Sequence, residues 1–69
     1  MKKKPTFGAR VRARRLALKL TQEQAAAMAG IPQSHWSAIE RRRENVTLAT
    51  AAAVAWALEC TIDNLMKGS

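Results

Sequence analysis

Between Thr21 and Glu40 the chain carries start and stop signals so close together that only two short helices and a tight turn fit between them. Thr21 is a capping residue and Gln24 stands three positions on, the spacing at which a cap hydroxyl and a reaching amide satisfy each other's backbone N–H groups. Gly30 supplies the left-handed backbone that ends a helix and turns the chain. The spacing predicts one helix over about 22–29 and a second over about 33–41. Ala26 and Ala29 form the inner side of the first, small enough for another helix to cross close by, and Trp36 and Ile39 form the apolar face of the second. Opposite that face stand Gln33, Ser34, Ser37, Ala38 and Arg41, a stripe of short hydrogen-bonding side chains, one methyl and one guanidinium. Such groups suit the donors, acceptors and methyl groups at base edges in a duplex groove. The same stripe also fits a plain polar face on a small helical bundle.

Charge separates the two readings. Twelve basic and five acidic residues give a net charge of +7. Residues 1 to 19 hold eight of the basic ones (Lys2, Lys3, Lys4, Arg10, Arg12, Arg14, Arg15, Lys19) and no acid, so the remaining fifty residues, with four basic and five acidic, net −1. One-signed charge beside a helix suited to base edges is the footprint of phosphate neutralisation. Lys2, Lys3 and Lys4, on a basic arm over 1–5, are expected at phosphates. Arg41, Arg42 and Arg43 form a second cluster at the end of the second helix, with Arg43 the first choice among them for a base and Arg41 and Arg42 for the backbone. His35 has no Cys, Asp or Glu at ligand spacing, so a phosphate contact is expected of it rather than a metal or general-base role.

Sixty-nine residues make one domain, and a chain so short buries only about 60% of its unfolded surface, which makes a lone copy marginally stable. Apolar spacing in threes and fours, with few Val and Ile, predicts an all-α fold without strands. A first helix is expected from about Phe7 to Lys19 behind Thr6, turning Phe7, Val11 and Leu18 inward. A fourth starts at Leu48 behind Thr47 and is expected to bury Leu48, Ala51, Ala55 and Leu58, with Val54 on the flank. A fifth, from Ile62, is capped by Thr61 with Asp63 in its first turn. The folded domain is expected over 6–66, with 67–69 a tail. Trp56 falls off the inward stripe, which calls either for a partner chain or for a lone surface aromatic. With Ile62, Leu65 and Met66 it presents more apolar surface than one copy can bury, so these four are expected at a two-fold interface.

Cys60 stands alone, which rules out an internal disulfide, fits a reducing compartment and suits a small apolar role. No apolar run of about 20 residues is present and no signal-peptide core follows Met1 to Lys4, so a cytoplasmic protein off the membrane is expected. The outward faces lack the broad apolar strip of a membrane-surface helix. No nucleophile with a base, paired carboxylates or phosphate-cradling glycine loop is present. An enzyme is therefore not expected, nor a metal, a cofactor or a small-molecule ligand.

From Phe7 to Met66 the chain resembles the phage-repressor and Cro-type (XRE-like) helix-turn-helix regulators, and among them the controller proteins of restriction-modification systems. The resemblance rests on Phe7-Gly-Ala-Arg-Val-Arg12, Leu20-Thr-Gln-Glu-Gln-Ala-Ala26, Ala29-Gly-Ile31, Ile39-Glu-Arg41, Asn45-Val-Thr-Leu48, Ala57-Leu58 and Asp63-Asn-Leu-Met66. It implies a compact five-helix domain whose third helix lies in the major groove, with Gln33, Ser34 and Ser37 near base edges and Gln22 at a phosphate. Asn45 is grouped with the phosphate contacts. An ion pair between Arg15 and Glu40 is also implied. Departures from the pattern are Arg14 where relatives often carry Leu, and Lys19, Arg42 and Glu59 where a helix-ending Gly is frequent. Pro32 replaces a capping Ser or Thr, leaving the N–H groups of Gln33 and Ser34 for a phosphate. The expected function is sequence-specific binding of double-stranded DNA by a transcriptional regulator, a homodimer on a palindromic operator near its own promoter. The alternatives are the antitoxin of a toxin-antitoxin pair and a helical protein-interaction module.

Overall fold

The structure is a computed structural model and describes residues 6–41 and 46–67, the side chains of 63, 66 and 67 excepted. Five helices follow in order: α1 (Phe7–Ala17), α2 (Gln22–Ala29), α3 (Gln33–Glu40), α4 (Leu48–Ala57) and α5 (Ile62–Lys67). Local chemistry starts them. The Thr6 hydroxyl accepts from Ala9 N–H at 3.1 Å, and Thr47 accepts from Thr50 N–H at 3.1 Å. On α2 the capping box is complete: Gln24 N–H donates to Thr21 Oγ1 at 3.0 Å and Thr21 N–H to Gln24 Oε1 at 2.9 Å. Thr61 and Asn64 repeat the reciprocal pair on α5, at 3.1 and 3.3 Å. Pro32 precedes α3 without a side-chain cap.

Three helices end in one way. Lys19, Gly30 and Glu59 take φ of 61°, 75° and 56°, and the next residue's N–H reaches back five positions: Leu20 to Arg15, Ile31 to Ala26, Cys60 to Ala55, each within 3.1 Å. This closes each helix as a Schellman motif. At Lys19 and Glu59 a side chain occupies the left-handed region at a cost of roughly 1–2 kcal/mol. Arginines of α1 tie down both turns: Arg15 Nη1 donates to Leu20 O at 2.9 Å, and Arg14 donates from Nε to Leu58 O at 2.9 Å and from Nη2 to Glu59 O at 3.1 Å. α1 therefore stops at Ala17 instead of Lys19.

The core gathers Val11, Ala25, Ala26, Trp36, Ile39, Val54, Ala55, Ala57, Leu58 and Leu65. Val54, assigned to the flank, is fully buried, whereas Ala29 is only partly so. Two expectations are corrected. Leu48 is 75% exposed, because the buried row Ala51, Val54, Ala55, Leu58 extends back toward Thr47 and leaves Leu48 rotated by roughly 70°. Leu65 is 2% exposed: it sits in the chain's own core and is not available to a partner.

Candidate nucleic-acid interface

The outward side of α3 is held in place from its inner side. Trp36 and Ile39 are buried in the core. Glu40, in the last turn of α3, is the acceptor for donors from three helices: Arg15 Nε at 2.6 Å and Nη2 at 3.1 Å from α1, Gln22 Nε2 at 3.0 Å from α2, and the Trp36 indole N–H at 2.6 Å from α3 itself. The Arg15 and Glu40 side chains are 9% and 4% exposed. Burial pushes the Glu40 carboxyl up, but the hydrogen bonds from Arg15, Gln22 and Trp36 and the Arg15 charge outweigh it, so the group sits below its ordinary value. The carboxylate thus ties α1, α2 and α3 into one unit and sets the rotation of α3.

α1 also meets α3 through bare backbone. A Cβ on Gly8 would overlap Ile39 O and lie 2.8 Å from Glu40 O, so this crossing admits only a glycine.

With that side locked, Gln33, Ser34 and Arg41 are exposed and His35, Ser37 and Ala38 are partly buried. Gln22, placed at a phosphate by resemblance, is partly buried and spends one amide hydrogen on Glu40. Arg42, Arg43 and Asn45, like Lys2, Lys3 and Lys4, lie outside the described residues. Trp56 is 71% exposed and Ile62 partly buried, while the side chain of Met66 is not among those described.

The basic run of α1 does more than charge alone indicates. Arg15 is buried in the ion pair, Arg14 holds the end of α4, and Arg10 Nη1 donates to Leu65 O at 3.2 Å. Arg12 and Lys19 are exposed. Helical periodicity carried the signal for Arg14, since it falls on the inward stripe of Phe7, Val11 and Leu18. Cys60 is partly buried; burial pushes its thiol up and the Arg14 charge offsets part of this. Among the described residues no group of three His, Cys, Asp or Glu is placed to hold a metal ion, and no helix is long and apolar enough to cross a membrane.

Two short helices joined at a left-handed Gly30, the second fastened inward and polar outward, are a helix-turn-helix. The profile of the Helix-turn-helix family matches residues 11–65. The chain belongs to that family. Over 53 residues, 77% of its length, this helix-turn-helix chain is 47% identical to the immunity repressor protein of Bacillus phage phi105, of which it spans 37%. Its fold is similar to that of the restriction-modification controller protein C.AhdI from Aeromonas hydrophila, with a TM-score of 0.85, 35% identity and coverage of 87% of this chain and 91% of the other. It is also similar to the P22 c2 repressor, solved with a synthetic operator, at a TM-score of 0.88, 33% identity and coverage of 96% and 100%. Sequence and fold alike resemble repressors and controller proteins, not enzymes.

Proposed function

We propose that this helix-turn-helix protein is a cytoplasmic transcriptional regulator that binds double-stranded DNA at a palindromic operator as a homodimer. The observation that carries the reading is the division of α3: Trp36, Ile39 and Glu40 fasten one side into the core, and Gln33, Ser34, Ser37, Ala38 and Arg41 are left on the other. A helix held at a fixed rotation with short polar groups outward presents a fixed pattern of donors and acceptors to a major groove, and so discriminates between bases. Arg43 joins this readout from beyond α3. Positive charge brings the protein to the duplex: Lys2, Lys3, Lys4, Arg41 and Arg42 meet phosphates, and His35, Gln22 and Asn45 add phosphate contacts. In a two-fold dimer the recognition helices enter successive major grooves about 34 Å apart. Trp56 and Ile62 remain for the contact between copies now that Leu65 is assigned to the core, and Met66 stays with them as part of the proposal.

Gln33→Ala tests the readout. It is expected to weaken binding to the operator by about 1–3 kcal/mol and to leave binding to a mixed-sequence duplex nearly unchanged. Equal losses on both duplexes, measured at one salt concentration, contradict a base contact.

A further inference from the structure

The outer face of α4 is apolar from end to end, which corrects the expectation that no outward face carries a broad apolar strip. Leu48 and Trp56 are exposed there at 75% and 71%, Ala49 and Ala52 are exposed between them, and no residue of Leu48–Ala57 is charged. The opposite face, with Ala51, Val54, Ala55 and Ala57, is buried in the core. Thr50 is the one polar residue of α4, and a helix apolar on both its inner and outer faces is ordinarily covered on both. The exposed sides of the neighbouring elements differ, since Arg12 lies on α1, Glu23 on α2 and Arg41 at the end of α3.

We infer that this face is where two copies of the chain meet, α4 against α4 in antiparallel; the inference rests on the homodimer reading above and centres the contact on Leu48, Ala52 and Trp56, with Ile62 and Met66 outside the α4 pair. Charge selects the occupant. At a net charge of +7 two copies repel one another, and an uncharged face is where they approach without setting like charges together. Size selects the direction. Leu48, Ala52 and Trp56 form one row at i, i+4 and i+8. With a two-fold axis through Ala52, the two alanines let the helices approach closely and the Trp56 indole of each copy falls against Leu48 of the other. Parallel packing would instead set indole on indole and leave a gap at the leucines. At the Trp56 end, a groove of about 510 Å³ lined by Met28, Trp56, Glu59, Cys60 and Thr61 continues the face and receives the partner's leucine. Exposed Glu59, one turn beyond Trp56, then lies toward the positive N-terminal end of the other α4. A ten-residue helix is about 15 Å long, so the patch is below standard interface size and the free dimer is weak.

Ala52→Glu tests this in the absence of DNA. Ala52 is exposed, so the variant keeps its helical content by circular dichroism while placing two unpaired charges on the axis. Wild type is expected to sediment as a dimer at about 100 μM, and Ala52→Glu as a monomer, with dimerisation weakened on the order of 100-fold. In a Cys60→Ala background, Ala52→Cys is expected to give a disulfide-linked dimer in a glutathione buffer. Leu48→Cys mixed with Trp56→Cys is expected to give the mixed product over either homodimer. A monomeric wild type, a dimer that survives Ala52→Glu, or cross-links of 48 to 48 and 56 to 56 overturns the assignment. A protein that dimerises in this way and binds no duplex contradicts the regulator reading alone; a wild type that binds a palindromic operator as a dimer which Ala52→Glu leaves intact contradicts the α4 contact alone.

Discussion

Glu40→Ala is expected to leave the protein unfolded, or nearly so, at 37 °C. Removing the carboxylate strands the Arg15 guanidinium, 9% exposed, without its counter-charge, and breaking a buried pair from one side costs about 3–5 kcal/mol. The Gln22 amide and the Trp36 indole lose their acceptor in the same step. Marginal stability of roughly 0.05–0.15 kcal/mol per residue leaves little margin beyond that. Glu40→Gln keeps the shape and an acceptor but not the charge, so it separates packing from electrostatics. The Glu40 carboxyl lies below its ordinary value of 4.5, so the unfolded chain takes up the proton first as pH falls. The contribution is complete above about pH 4.5 and is lost as the pH drops through the lower folded value. Urea unfolding of wild type across that window is expected to show stability falling with pH more steeply than in Glu40→Gln. A Glu40→Ala melting temperature within a few degrees of wild type contradicts the account of the network.

Gly8→Ala is expected to destabilise the protein although alanine is the better helix former. In an open helix the exchange gains about 1 kcal/mol. Here the new methyl meets the Ile39 and Glu40 carbonyl oxygens, which are backbone and cannot rotate aside, and forcing extra volume into such a contact costs roughly 1–3 kcal/mol. α1 has to move off the end of α3, pulling Arg15 away from Glu40 and taxing the ion pair as well. The expected net effect is a fall in melting temperature on the order of 10 °C. Gly30→Ala is the contrast, for its Cβ meets nothing within 4 Å and the loss comes only from φ of +75°, roughly 1–2 kcal/mol. A rise in melting temperature for Gly8→Ala contradicts the close crossing.

What the sequence made legible was local. The Thr21–Gln24 box, the Gly30 turn and the caps Thr6 and Thr47 join residues within a few positions of one another, so spacing alone announces them. The inward pair Trp36 and Ile39 follows from one period of one helix. Gly8 could not be placed this way, because its reason lies over thirty residues away in the carbonyls of α3. The Trp36 indole bond to Glu40 lies at i+4 and was within reach, but periodicity assigns the ring to the core and says nothing of its N–H. Arg14 reads as surface charge by residue type, but its place on the inward stripe puts its guanidinium on the carbonyls that end α4. Leu48 and Leu65 differ from expectation for a related reason: apolar character does not say which face is covered, and the rotation of α4 and the seat of α5 against α1 decide it.

Selection of bound sites from a pool of random duplex DNA tests the central claim most directly. A sequence-specific homodimer is expected to enrich one consensus with two-fold symmetry, its half-sites about 10 base pairs apart from centre to centre, and Gln33→Ala to lose information at one position in each half-site. Recovery of a pool no different from the input, with binding governed by salt alone, contradicts it.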